Sequence, residues 1–202
     1  MFEAVPLPNL LPQRLPQRFS DGLGRTVART GLTPNMLSLL GFAGNAFAAY
    51  LVVREALLWA GIVFLVFSAF DMVDGAVARA TGRATPFGAV FDAVLDRASE
   101  ALLLAGCAWY FGERGENVQA AVTYAALFAS VAVSYMRARA EVVGLPMREG
   151  LFRRQERVVL LGAGLLFNAL TLAIWPLAVL ANFTALQRFW LIARALRALD
   201  QA

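Results

Sequence analysis

The sequence predicts an all-α integral membrane protein: a bundle of six transmembrane helices preceded by an N-terminal amphipathic juxtamembrane helix. Three observations carry that expectation. The 202-residue chain is 59% hydrophobic and only 16% charged, with a mean hydropathy of +0.62, outside the usual range of a soluble globular domain. Uncharged runs recur at lengths near the ~20 residues that cross a bilayer. The arginines gather in every second connection, as the positive-inside rule asks of a cytoplasmic face.

Residues 1–32 are read as the juxtamembrane segment and 33–200 as a single six-helix domain. Leu15, Phe19, Leu23 and Val27 recur every four residues, while Arg14, Arg18 and Arg25 point elsewhere, the pattern of a helix lying on a membrane surface. The opening MFEAVPLPNL has no basic stretch followed by an apolar one, so it does not resemble a cleaved signal peptide. Residues 34–53 form the first uncharged run, closed by Arg54 and Glu55. The second begins near Ala56 and runs straight into an aspartate-rich stretch at 71–79. TGRATPFG is the turn before a third helix that continues to about Phe111, and residues 117–136 give the fourth. From Val158 to Gln187 nothing is charged. That is too long for one span, and Trp175-Pro176 is the expected break between the fifth and sixth helices. Six spans place both termini on one side. Arg79, Arg83, Arg137, Arg139, Arg148, Arg153, Arg154, Arg157, Arg194 and Arg197 then share that side, so a multi-pass protein of the cell (inner) membrane with cytoplasmic termini is expected.

All 18 basic residues are arginine, so any phosphate must be gripped by guanidinium groups. There is no histidine, and the one cysteine, Cys107, lies in an apolar run, which excludes disulfides within one chain, thiolate zinc sites and histidine bases. Any bound metal needs oxygen ligands, which favours Mg or Mn. The net charge of +4 suits anionic head groups, and no nucleic-acid partner is expected.

The candidate chemistry lies in DMVDGAVARATGRATPFGAVFDAVLD, residues 71–96. Asp71 and Asp74 are three apart and Asp92 and Asp96 four apart, so each pair shares one helix face. A short turn would make the two helices antiparallel neighbours, with all four carboxylates converging near the cytoplasmic boundary. Buried carboxylates cost several kcal/mol each unless paired or metal-bound. Two divalent cations about 4 Å apart would meet that cost and could bridge a pyrophosphate for in-line attack. Gly75 and Gly88 lie beside the two pairs, where a missing Cβ lets a base or phosphate approach the backbone. Ordinary helix-end aspartates paired with Arg79, Arg83 and Arg97 would explain one pair, but not two with glycines at fixed offsets. Arg97 is read as a structural partner of an aspartate or of Glu100. A divalent-cation carrier would distribute acids across the bilayer depth, whereas here they cluster at one face beside arginines.

The full pattern D-x-x-D-G-x-x-A-R-x8-G-x-x-x-D-x-x-x-D resembles the signature of the CDP-alcohol phosphatidyltransferases, with every specified position matched. The resemblance implies a six-helix, usually homodimeric membrane enzyme in which an alcohol attacks the β-phosphate of a CDP-linked lipid and CMP leaves. On it, Asp71, Asp74, Asp92 and Asp96 would be the metal ligands, and Asp96 would also take the proton of the attacking hydroxyl. Gly75, Arg79, Thr85 and Gly88 would contact the donor's nucleotide and pyrophosphate. Thr33-Pro34-Asn35-Met36 is similar to the family element that helps close the nucleotide pocket, though Thr33 as N-cap and Pro34 at N1 also reads as a plain helix start.

The signature leaves the alcohol open. SYMRARAE at 134–141 and RRQER at 153–157 are similar to the corresponding region of actinobacterial phosphatidylinositol phosphate synthases. On that resemblance Ser134, Arg137, Arg154 and Arg188 would bind the phosphate of the acceptor, inositol 1-phosphate, with CDP-diacylglycerol as donor. Arg137 stands where a lysine is expected, keeping the charge and changing the shape of the contact. Arg188 is an isolated cation inside an apolar span, a costly placement that marks function. Glycerol 3-phosphate, the acceptor of phosphatidylglycerophosphate synthases, also carries a phosphate and stays the alternative.

Overall fold

The computed structural model describes residues 33–80, 85–145 and 150–199, with the backbone alone for 70–80 and 199. The juxtamembrane helix expected over residues 1–32 lies outside the described residues. Within them the chain folds into six α-helices and no strand. They are α1 (Pro34–Val53), α2 (Leu57–Ala80), α3 (Pro86–Glu113), α4 (Asn117–Val142), α5 (Arg154–Leu166) and α6 (Leu170–Leu199).

Local chemistry sets the ends. α1 and α3 begin alike: Thr33 accepts a hydrogen bond from the Met36 N–H at 3.3 Å and Thr85 from the Gly88 N–H at 3.0 Å, each followed by a proline in the first turn. Four helices also end alike, on a residue of positive φ that sends two N–H groups back to the last turn. At Gly115, for example, the Gly115 N–H bonds Gly112 O at 3.0 Å and the Glu116 N–H bonds Phe111 O at 2.9 Å. Glu55, Gly144 and Asn168 do the same for α1, α4 and α5.

The last of these corrects the expected break at Trp175-Pro176. α5 stops at Leu166, Asn168 takes φ 51°, and the Asn168 and Ala169 N–H groups bond Leu165 O and Gly164 O at 3.2 and 2.7 Å. Pro176 instead lies inside α6. A proline removes one ladder bond, a loss that packed neighbouring helices in a membrane tolerate. An asparagine able to adopt the left-handed conformation ends the helix outright. As a result α5, with 13 residues, is only about 20 Å long, and α6, with 30, is about 45 Å.

Helix neighbours close into a ring. α1 packs on α2 and α3, α3 on α4, α4 on α6, α6 on α5, and α5 back on α2. Val52, Phe64, Leu103, Phe111, Leu161, Leu165, Ile174 and Leu177 fill its centre. α1, α4 and α6 (over Leu170–Ala198) are long and apolar enough to cross a membrane; in α2 the apolar part is the shorter Leu57–Ala69. Leu39, Phe47, Trp59, Phe128, Phe167 and Leu172 are all more than half exposed. Water would not tolerate so large an apolar surface, and a bilayer covers it.

Close approach depends on glycine. A Cβ at Gly61 would lie 2.8 Å from the backbone nitrogen of Leu166, so α2 and α5 touch through backbone. Gly61→Val is expected to cost about 1–3 kcal/mol, read as a lower thermal midpoint in detergent. Gly112→Ala, with nothing within 4 Å of the added carbon, should leave the midpoint in place.

Arg114, after α3, donates to Glu55, after α1, at 3.1 Å and sits over the Tyr110 ring at 5.0 Å. The α1–α2 and α3–α4 turns therefore share one end of the bundle. The start of α1, the end of α2 and the start of α3 lie at the other, where the motif residues are.

Candidate active site

The N-termini of α1 and α3 meet. A Cβ at Gly88 would come within 3.1 Å of both Asn35 Oδ1 and Thr85 Oγ1, so the Thr33–Met36 element and Gly88 adjoin. Two helix N-termini side by side present unpaired N–H groups and positive dipole ends, a setting suited to phosphate. The hydroxyls of Thr33 and Thr85 are engaged as caps.

Asp92 and Asp96 occupy the early turns of α3, both half-buried. Asp71, Asp74, Gly75 and Arg79 lie on the last turns of α2, which with α3 packs on α1; their side chains are outside the described set. Asp96 is held between two cations: Arg154 Nη1 lies 2.9 Å from Oδ1 and Arg97 Nη1 lies 3.2 Å from Oδ2. Arg154 is the first residue of α5, so one acceptor candidate is brought directly to one metal-ligand candidate.

The other acceptor candidates divide. Arg188, 5% exposed, reaches from α6 to α4 and donates to Val133 O at 2.7 Å, beside half-buried Ser134. Gly150 lies against its guanidinium: a Cβ there would be 3.0 Å from Nε and Nη2. Arg137 is not gathered with them. It pairs with Glu141 at 2.9 Å, one turn along α4, and about half of its side chain is exposed.

Two features were missed by the sequence reading. Glu100 and Arg157 form a buried, two-pronged ion pair; its signal was the continuation of the Asp92, Asp96 face by a further four residues to Glu100. The strap before α5 is tied to α6, with the Leu151 N–H on Gln187 Oε1 at 3.3 Å and the Phe152 N–H on Thr184 Oγ1 at 3.1 Å. No local sequence signal marks it.

The profile of the CDP-alcohol phosphatidyltransferases matches residues 31–195, all of the helical bundle but the end of α6. The chain belongs to that family. Among similar proteins is the phosphatidylinositol phosphate synthase of Mycobacteroides abscessus, 35% identical over 95% of this chain and 91% of the relative. The archaetidylinositol phosphate synthase of Pyrococcus horikoshii is 37% identical over 84% of this chain and 88% of its own. The crystal structure of Mycobacterium tuberculosis phosphatidylinositol phosphate synthase with CDP-DAG bound superposes with a TM-score of 0.79 at 32% identity, covering 87% of this chain and 94% of that one. The same enzyme is also known in complex with manganese and citrate.

This CDP-alcohol phosphatidyltransferase is thus a transferase of phospholipid synthesis, in a family that works with divalent cations. Its donor chemistry fits such ions. Among the described residues, Asp92 and Asp96 place carboxylates at one end of α3 that would suit them, and Glu100, the next acid on that face, is paired with Arg157. Cys107 is buried in the core.

Proposed function

We propose that the protein transfers the phosphatidyl group of CDP-diacylglycerol to the hydroxyl of inositol 1-phosphate, giving phosphatidylinositol phosphate and CMP. The observation that carries the choice of acceptor is the Arg154 guanidinium seated on Asp96 at 2.9 Å. A cation fixed beside the attacking-side carboxylate has no use for serine or choline, but it suits an acceptor that carries its own phosphate. Arg188 on α6, beside Ser134 of α4, is the second guanidinium assigned to the acceptor. The relatives from Mycobacteroides abscessus and Pyrococcus horikoshii are both named inositol phosphate synthases, one phosphatidyl and one archaetidyl.

In this reading Asp71, Asp74, Asp92 and Asp96 hold two divalent cations, Mg or Mn, which neutralise the pyrophosphate and the departing CMP. The paired N-termini of α1 and α3, with Asn35, Thr85 and Gly88, receive the nucleotide and pyrophosphate alongside Gly75 and Arg79. Arg154 and Arg188 bind the acceptor phosphate and turn its hydroxyl toward the β-phosphorus. Asp96 takes the hydroxyl proton as the new oxygen–phosphorus bond forms and the bond to the CMP phosphate breaks. Arg137, paired with Glu141, serves as a second contact for the entering acceptor. The site opens to the cytoplasm of the cell membrane, with the six-helix bundle set in the bilayer, the N-terminal segment on the inner leaflet, and the enzyme acting as a homodimer.

The test supplies purified protein with CDP-diacylglycerol and either inositol 1-phosphate or glycerol 3-phosphate, and identifies the lipid by mass. Phosphatidylinositol phosphate is the expected product. Phosphatidylglycerophosphate alone would overturn the acceptor assignment, and a lack of CMP release with either acceptor would overturn the reaction.

A further inference from the structure

One turn deeper along α3 than the Asp96–Arg154 contact lies a second carboxylate–guanidinium pair. Arg157 Nη2 donates to Glu100 Oε2 at 3.0 Å and Nε donates to Oε1. Arg157 is 2% exposed and Glu100 8%. The two pairs form a ladder, with acids at Asp96 and Glu100 on α3 and arginines at Arg154 and Arg157 on α5. The outer rung holds a partly accessible arginine on Asp96; the inner rung is two-pronged and dry.

Stability does not account for the inner rung. A buried ion pair contributes about as much as, or less than, a well-packed apolar pair of the same volume. What a planar fork on a carboxylate does supply is orientation, since both groups must lie in one plane at one height. α5 is short and packs on α2 and α6, so its rotation relative to α3 is set by these long side chains. Arg154 begins α5 and meets Asp96 only if that rotation is held.

We propose that Glu100 and Arg157 are positioning residues that fix α5 on α3 and so set the reach of Arg154 to the acceptor phosphate. This rests on the reading of Arg154 as an acceptor ligand. It assigns to a pair outside the aspartate motif the control of acceptor affinity.

The test replaces the pair by apolar residues of similar volume, Glu100→Leu with Arg157→Met, which leaves no uncompensated charge. The expected result is a rise of about tenfold in KM for inositol 1-phosphate, with KM for CDP-diacylglycerol and the thermal midpoint little changed. Arg157→Lys, which keeps the charge but loses the fork, should give a smaller rise, and it carries the test alone if the apolar pair does not fold. An unchanged acceptor KM in a folded variant overturns the proposal, as does an equal rise in both KM values, which a merely structural role would give. Arg154→Ala, measured in parallel, separates the two readings. If it raises the acceptor KM and the apolar pair does not, positioning alone fails; if it does not, the acceptor reading fails and this one with it.

Discussion

Asp96→Asn should lower kcat by about a thousandfold or more while leaving the protein folded, because a lost general base alone costs roughly 10²–10⁴ and a metal ligand is removed with it. The substitution keeps shape and one acceptor oxygen, so one of Arg154 and Arg97, which bond different oxygens of Asp96, keeps its partner and the other loses it. Both arginines are partly accessible, with side chains 27% and 36% exposed, and contacts of that kind contribute about 1 kcal/mol or less to stability. Thermal midpoint and elution volume are therefore expected to match the parent while CMP release disappears. Asp92→Asn should be milder and partly restored by raised manganese, since it removes a ligand but not the proton acceptor. The contrast with Glu100→Gln is informative: there the neutralised acid leaves Arg157 charged in a dry site, and loss of stability should come first. An Asp96→Asn enzyme that turns over normally would remove the metal-and-base reading at its root.

How legible the site was depended on how local its parts are. The Thr-Pro starts of α1 and α3 and the i, i+3 and i, i+4 aspartate spacings are properties of a few consecutive residues, and they were readable. The bounds of the first run, 34–53, were readable too, because charge and the turn at Glu55 coincide there. The α5–α6 break was misplaced because a rule for water-exposed helices, in which proline interrupts, was applied where packed neighbours tolerate the missing bond. Asn168, the lone left-handed residue of that run, was the better signal. Arg97 was read as the partner of an aspartate or of Glu100 and meets Asp96, but which arginines of α5 meet which acids of α3 was not readable. Arg157 and Glu100 are 57 residues apart, and their meeting depends on the ring order that brings α5 toward α3. The pair of Arg137 with Glu141 was present as an i, i+4 spacing.

Arg188→Met should raise KM for inositol 1-phosphate by about a hundredfold, with Arg188→Lys recovering part of the loss, because a guanidinium offers a phosphate two parallel donors and an ammonium only a point charge. Two facts make the site specific to arginine. The side chain crosses from α6 to the Val133 carbonyl of α4 at 2.7 Å, and it passes Gly150, where even a methyl group would press on Nε and Nη2 at 3.0 Å. Gly150 has φ 146°, a conformation that disfavours any L side chain, so its backbone can pack directly against the guanidinium. If Arg188 were only a brace between α4 and α6, methionine would lower the thermal midpoint and move both substrate KM values together. If it binds the acceptor, the apolar stem of methionine should hold the helices, and the loss should fall on inositol phosphate alone. Gly150→Ala should then act in the same direction with a smaller effect, by displacing the guanidinium without removing it.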